Sequence, residues 1–179
     1  MSTDAIGPLF FLRRRRLLQW GATGWCTALA VEARASAQPV GETVLTVAGK
    51  LRLSNGSTQA NFDMAMLEAL AQTTVTTQTP WYPEPRSFTG PLLRDLLAQC
   101  GALGDTLRLS ALNDFRVDMP VADVHKHDVI VARLLDGKAL SVRDKGPLFV
   151  MYPFSAKAEL RTAVYFSRAV WQLRRIEVL

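Results

Sequence analysis

The sequence is poor in the residues that build disulfides and transition-metal sites, with two cysteines and two histidines in 179 residues. The histidines, His125 and His127, stand two positions apart in a stretch that is expected to form a short helix. Residues at i and i+2 of a helix do not face each other, so they are predicted to be surface histidines and not a metal pair. If Cys26 is removed with an export signal, only Cys100 remains, and no intramolecular disulfide can form.

Signatures of catalysis and of nucleic-acid binding are also missing. There is no nucleophile elbow, no paired cysteine and histidine, no acid–base dyad and no glycine-rich phosphate loop. The net charge is +5, and the first 37 residues account for +3 of it, which leaves +2 for the rest. Nucleic-acid binding requires clustered basic charge and is not expected. These absences favour a binding protein over an enzyme.

The N-terminus has the pattern of an export signal. Four consecutive arginines, Arg13–Arg16, precede Leu17-Leu18, a modest apolar run and then the small residues Ala35-Ser36-Ala37. This pattern predicts a cleaved twin-arginine-like signal over residues 1–37, with an ordinary secretory signal as the alternative, and therefore a periplasmic protein. The apolar run is shorter than the roughly 20 residues that a spanning helix needs, so no membrane span is expected in the mature chain.

Residues 38–179 are predicted to form one α+β domain with a mixed β-sheet and a few helices, because hairpins and helices occur without strict βαβ alternation. The Asp136-Gly137 pair between strand-like runs predicts a hairpin. The apolar run Leu148–Tyr152 predicts a strand that is buried on both faces. The remaining expected elements are strands at Val44–Lys50, Thr73–Thr79, Leu107–Leu109, Phe115–Met119 and Trp171–Val178, helices at Phe62–Ala71 (capped by Asp63), Pro91–Gly101 and Val121–Asp128, and a turn at Asn113-Asp114.

Prolines and a lone cysteine lead to two further predictions. The segment Pro80–Arg86 contains three prolines, which are expected to exclude both helix and central strand and to make a rigid extended loop that carries Trp81. Pro91 is expected at the first position of the second helix, and Gly101 just after its end. Cys100 falls on the apolar face of that helix and is predicted to be a small buried side chain, not a reactive thiol.

Three stretches carry a resemblance to a known family. They read NDFRVDMPVAD from Asn113, DGKALSVRDKGPLFVMYP from Asp136 and WQLRRIEV from Trp171. Residues 43–178 resemble small exported proteins with the sulfite-oxidase-type molybdopterin-binding fold. Among these, the chain is most similar to single-domain members that bind a free pterin and act as sensors. In catalytic members a cysteine shortly before a Trp ligates molybdenum, whereas Thr76–Trp81 holds no cysteine, so no molybdenum or other metal is expected.

The resemblance implies a pocket for a reduced, non-covalently bound pterin such as a tetrahydropterin. Such a pocket needs an aromatic face, an acceptor for the amino edge of the ring and a donor for its oxygen. Stacking is assigned to Trp81 and then Tyr152, the acceptor to Asp114 and the donor to Arg143. Phe115, Asn113 and Lys145 complete the predicted site.

Each of these residues also has an ordinary structural interpretation. Trp81 and Tyr152 could be core aromatics, and Asn113-Asp114 is common turn chemistry. Arg143 and Asp144 could form a surface ion pair, which contributes about 0–1 kcal/mol. Only the resemblance favours a role in ligand binding.

The function implied is that of a periplasmic, non-catalytic pterin sensor. It would regulate an inner-membrane enzyme that makes or degrades cyclic di-GMP (a diguanylate cyclase or phosphodiesterase) by contact with the periplasmic domain of that enzyme. One alternative is a molybdopterin-dependent oxidoreductase with an atypical metal site. Another is an interaction module that keeps the fold without a ligand.

Overall fold

The computed structural model describes residues 38–53 and 57–179, which lie within one compact unit, Ala33–Leu179. The predicted export signal, residues 1–37, lies outside the described residues. The described residues form eleven strands, four short α-helices and two 3-10 turns. The strands are β1 (Leu45–Gly49), β2 (Gln59–Phe62), β3 (Gln72–Thr79), β4 (Tyr82–Pro91), β5 (Thr106–Ala111), β6 (Arg116–Pro120), β7 (Ile130–Ala132), β8 (Leu134–Leu135), β9 (Lys138–Ala139), β10 (Phe149–Met151) and β11 (Leu173–Val178); the helices are α1 (Met64–Glu68), α2 (Leu93–Gln99), α3 (Val121–Lys126) and α4 (Ala163–Arg168), with 3-10 turns at Val142–Asp144 and Ala158–Leu160.

The largest sheet has five strands in the order β2-β1-β11-β5-β6. β11 lies at its centre, parallel to β1 and antiparallel to β5, so strands from the two ends of the domain pair directly. β5 and β6 form the expected hairpin, and Asp114 in its turn has a φ of 64°. Mixed pairing together with short helices confirms the predicted α+β class.

Two smaller sheets carry the remaining strands. One has the order β3-β4-β8-β9, and the other pairs β10 with β7. β8 and β9 form the predicted Asp136-Gly137 hairpin, in which both turn residues have a positive φ, of 46° and 76°. All five residues of Leu148–Tyr152 have 0% exposure, which confirms the predicted buried segment.

The caps of the first two helices follow local sequence chemistry. The Asp63 carboxylate accepts hydrogen bonds from the backbone N–H groups of Met66 at 2.8 Å and of Val40 and Gly41 at 2.9 Å, which confirms the predicted cap. The first helix ends at Glu68 and not at the predicted Ala71, since Gln72 already begins β3. Gly101 follows α2 with a φ of 59°, as its predicted capping position requires.

The proline-rich segment is extended, but it belongs to a strand, so the predicted loop was wrong. Pro83 and Pro85 are exposed within β4, beside the point where the β3–β4 register shifts between Thr77 and Thr79. β8 pairs only with Phe88 and Thr89, so this end of β4 has no neighbour on its second side and loses no ladder hydrogen bond to proline. The expected position of Pro91 was also wrong, because Pro91 ends β4 and α2 begins at Leu93.

The prediction that both histidines lie on the surface was wrong for His127, which is 2% exposed. α3 ends just before it, and its ring packs against Tyr152 and Tyr165 with centroids 6.3 and 5.7 Å away. His127 Nδ1 lies 3.3 Å from Lys157 Nζ, and Nε2 is buried with no hydrogen-bond partner among the described residues. Burial and the neighbouring Lys157 charge lower the pKa of His127.

A lowered histidine pKa makes stability depend on pH. Because the unfolded chain binds a proton near its ordinary pKa of about 6.5 and the folded chain resists it, the free energy of unfolding should fall as the pH drops below that value. His127→Asn is expected to reduce this dependence, whereas His125→Asn, at an exposed position, should leave it unchanged. Urea midpoints at neutral and mildly acidic pH measure the effect. An equal change of stability with pH in wild type and His127→Asn would contradict it.

Candidate functional site

A cavity of about 340 Å³ opens where the β3–β4 turn meets α4. It is lined by Gln78, Thr79, Pro80, Arg161 and Phe166. The first three come from the end of β3 and the turn after it, Arg161 follows a 3-10 turn, and Phe166 lies in α4. Its volume falls in the range of about 300–1,000 Å³ that is usual for small-molecule sites, near the lower end.

Trp81 stands directly beside the cavity wall, inside a cluster of aromatic rings. It contacts Phe166 edge-on at 6.2 Å between centroids and Phe149 at 5.3 Å, while Phe154 closes the cluster at 6.4 Å from Trp81 and 4.8 Å from Phe166. Because β10 holds Phe149 at 0% exposure, these rings rest on a fixed support. The predicted stacking residue is therefore next to the cavity, and Phe166, which it contacts, presents the aromatic ring that lines the cavity.

Two polar side chains of the cavity wall have unused hydrogen-bonding capacity. Thr79 is 5% exposed, and its Oγ1 has no hydrogen-bond partner among the described residues. Arg161 is oriented by two backbone carbonyls, with Nε donating to Phe154 O at 2.9 Å and a terminal nitrogen donating to Ser155 O at 3.1 Å. Because a guanidinium has five N–H donors, others remain available. The wall thus combines an aromatic face, a cation and an unpaired hydroxyl.

The segment where a metal-ligating cysteine would stand carries hydroxyl groups instead. Thr77 is 1% exposed, and its Oγ1 accepts a hydrogen bond from Ser155 N at 2.9 Å. Ser155 Oγ in turn accepts from Gln78 N at 2.9 Å, which ties the end of β3 to the segment after β10. A hydrogen-bonded, un-ionised hydroxyl does not fit a soft-ligand metal.

Cys100 cannot take over this role from its place at the end of α2. It is 1% exposed, as predicted, and burial raises the pKa of its thiol to about 12. Within the described ranges, no group of three or more His, Cys, Asp or Glu side chains could share a metal ion. The residues present do not fit a thiolate-bound molybdenum, so no chemical step is assigned to one.

Tyr152 lies behind the aromatic cluster and has 0% exposure. Its hydroxyl donates to Asp123 Oδ2 at 2.8 Å, and the same oxygen accepts from Arg168 at 2.8 Å. Burial raises the pKa of Tyr152, and the hydrogen bond to Asp123 raises it further. Its ring centroid lies 5.8 Å from that of Phe154, so it supports the ring that packs on Phe166.

The other predicted ligand residues do not line the cavity. Asn113, Asp114 and Phe115 are exposed in the β5–β6 turn, where Asp114 pairs with Arg174 at 2.8 Å. Arg143 is exposed in a 3-10 turn, and Lys145 Nζ lies 4.9 Å from the centroid of the Tyr82 ring. In the described part of the chain, no hydrogen bond, ion pair or ring contact joins residues 113–115 or Arg143 to the cavity wall. Their proposed roles stay predictions.

Sequence reasoning did not select Gln78, Thr79, Arg161 or Phe166. Thr79 belongs to an ordinary β-prone run, and Arg161 follows a polar stretch with no recognisable motif. The sequence resemblance did mark the segment Thr76–Trp81, in which Gln78, Thr79 and Pro80 line the cavity.

Similarity to solved structures identifies the fold. The domain is similar to the sulfane dehydrogenase SoxCD from Paracoccus pantotrophus, with a TM-score of 0.56 and 19% identity over 75% of this chain. The domain has the sulfite-oxidase-type molybdopterin-binding fold. The match covers only 37% of the SoxCD chain, so this chain spans just over a third of that protein. No family model matches the sequence, and no curated protein matches it. No helix in the described ranges is long and apolar enough to cross a membrane.

Proposed function

We propose that the protein binds a reduced pterin without catalysing a reaction on it. The observation that carries the proposal is the cavity beside Trp81, whose wall contains the free hydroxyl of Thr79 and the oriented guanidinium of Arg161. A pterin is a flat bicycle with donors and an acceptor on one edge. Phe166, supported by Trp81, would contact its face, and Arg161 would donate to its oxygen.

The proposal extends to a role in signalling. The protein would act in the periplasm and regulate, through contact with its periplasmic domain, an inner-membrane enzyme that makes or degrades cyclic di-GMP. If pterin and partner prefer the same conformation, bound pterin raises the affinity for the partner, and the partner raises the affinity for pterin by the same factor. The support for this part is the sequence resemblance together with the fold.

Calorimetry with a tetrahydropterin under anaerobic conditions tests the binding step. We expect one-to-one binding by the purified protein, weakened about tenfold or more in Arg161→Gln, because a hydrogen bond from a charged group is lost. Arg52→Gln is the matched control, since Arg52 is exposed and does not line the cavity. Arg143→Gln tests the donor that the sequence indicates, and thermal unfolding checks that each variant is folded.

Three other results would contradict or change the proposal. Absence of heat and of bound pterin fluorescence in wild type would contradict pterin binding. Equal affinity in wild type and Arg161→Gln, with a loss in Arg143→Gln, would move the ligand to the site predicted from the sequence. Stoichiometric molybdenum in protein made by molybdenum-replete cells would favour the alternative, a molybdopterin-dependent oxidoreductase.

A further inference from the structure

Exposed apolar side chains gather around Gln172. The described residues include seven exposed large apolar side chains, of which Leu112, Phe115, Val142 and Trp171 lie in segments adjoining Gln172, with exposures of 43, 45, 52 and 40%. We call these four residues the Gln172 surface. Single exposed apolar residues are ordinary, but clustered ones mark interaction sites.

Backbone hydrogen bonds hold the three segments of the Gln172 surface together. Leu112 N donates to Gln172 O at 2.9 Å, and Gln172 N donates to Lys145 O at 3.0 Å. The Gln172 side chain donates to Val142 O at 2.8 Å. Gln172 itself has a φ of 55°, a left-handed conformation that is uncommon for a residue other than glycine. The four apolar side chains are therefore presented on a pre-organised support, which lowers the ordering cost of binding.

Positive charge surrounds the Gln172 surface. Arg116, Arg143 and Lys145 have no carboxylate partner within 4 Å among the described residues, and Lys145 lies 5.9 Å from the centroid of the Trp171 ring. Two carboxylates lie nearby: Asp114 pairs with Arg174, whereas Asp144 accepts a hydrogen bond from the Ser141 hydroxyl at 2.7 Å and keeps its charge. Three unpaired cations against this one unpaired carboxylate leave a net positive charge, so the surface attracts carboxylates.

We infer that the Gln172 surface is the docking site for a partner-protein segment that combines acidic and apolar side chains. Aromatic side chains and arginine are the residues most often found at the energetic centres of protein interfaces. A second copy of this chain would bring two surfaces of net positive charge together across a two-fold interface. An anionic membrane is usually bound by clusters of 4–8 Lys or Arg, whereas three unpaired cations and two carboxylates lie here.

The inference deepens the proposed function and rests on it for the idea of a protein partner. It does not require a bound ligand, because none of the four apolar residues lines the cavity. The surface and the cavity can therefore fail separately, whereas a ligand held by Arg143 would share residues with this surface. Titrations without pterin test the surface, and the calorimetry described above tests the cavity.

Designed peptides provide the probe. Fluorescence anisotropy would follow binding of the full protein by a short labelled peptide that alternates glutamate with leucine and carries one tryptophan. Two reference peptides replace the glutamates by lysine or the apolar residues by serine. We expect only the acidic–apolar peptide to bind, with affinity reduced about tenfold or more by Trp171→Ala and by Arg143→Glu.

Three further variants guard against unfolding and non-specific effects. Val142→Ser changes a half-exposed side chain of the same surface and should weaken binding while keeping the native circular dichroism spectrum. Leu103→Ala and Arg52→Glu, at exposed positions elsewhere, should bind like wild type.

Several results would overturn the inference. These are failure of the acidic–apolar peptide to bind, equal binding by the lysine peptide, or affinity that is unchanged in all three surface variants. Binding of phosphatidylglycerol vesicles that depends on Trp171 would replace the protein partner by a membrane. Self-association in sedimentation experiments that is abolished by Trp171→Ala would replace it by a second copy.

Discussion

The Gly90→Ala variant is expected to lose more than about 3 kcal/mol of its free energy of unfolding. A Cβ at position 90 would lie 1.9 Å from Val131 O and 2.8 Å from Ala132 Cα. These are backbone atoms of β7, which cannot rotate away as a flexible side chain would. The close approach packs β4 against β7, whose partner β10 carries Phe149 beneath Trp81. Overpacking here would therefore disturb the support of the cavity.

Urea unfolding followed by circular dichroism measures this loss. Gly137→Ala is the matched control, because a Cβ at that position meets no atom within 4 Å and only the φ of 76° is unfavourable. Its expected cost is about 1–2 kcal/mol, the penalty of a left-handed conformation. A Gly90→Ala variant as stable as Gly137→Ala would show that β4 and β7 do not approach as described.

The second large effect is expected for Asp123→Ala, at about 3 kcal/mol. Asp123 is 8% exposed and accepts hydrogen bonds from Tyr152 and Arg168. Removing the carboxylate leaves a largely buried guanidinium without its counter-charge and the Tyr152 hydroxyl without its carboxylate acceptor. The stability lost when a buried charge is left unpaired exceeds the stability lost when an exposed ion pair is broken.

A graded set of variants separates the two components. Tyr152→Phe removes only the hydroxyl and should cost about 1 kcal/mol. Asp128, whose side chain is 63% exposed, pairs with Arg94. Asp128→Ala breaks this pair and should cost less than about 1 kcal/mol. If Asp123→Ala were no more costly than Asp128→Ala, the buried network would not contribute as argued.

Local chemistry explains which elements could be predicted from the sequence. Asp136-Gly137 and Asn113-Asp114 determine turns through residues that tolerate a positive φ, and Asp63 caps a helix through a neighbouring amide. The prolines misled because their effect depends on strand position: Pro83 and Pro85 lie where β4 has no second neighbour. No local pattern contains that information.

Local sequence patterns predict the candidate site even less well than they predict the strands and helices. Trp81 could be selected because the resemblance marks its segment, and the structure places it beside the cavity. Thr79 and Arg161 are distant in sequence and meet only when the end of β3 packs against the segment after β10. His127 is polar in sequence but buried by Tyr152 and Tyr165, which come from later elements.

The central position of β11 in the five-stranded sheet constrains the order of events during synthesis. β1 is among the first strands to leave the ribosome, yet its parallel neighbour is the last strand of the domain. β1 can pair with β2 and β5 with β6 earlier, but the edges of β1 and β5 that flank β11 stay unpaired until Val178 has emerged. Completion of the fold is therefore a late step, and the period before it is when a chaperone would be most needed.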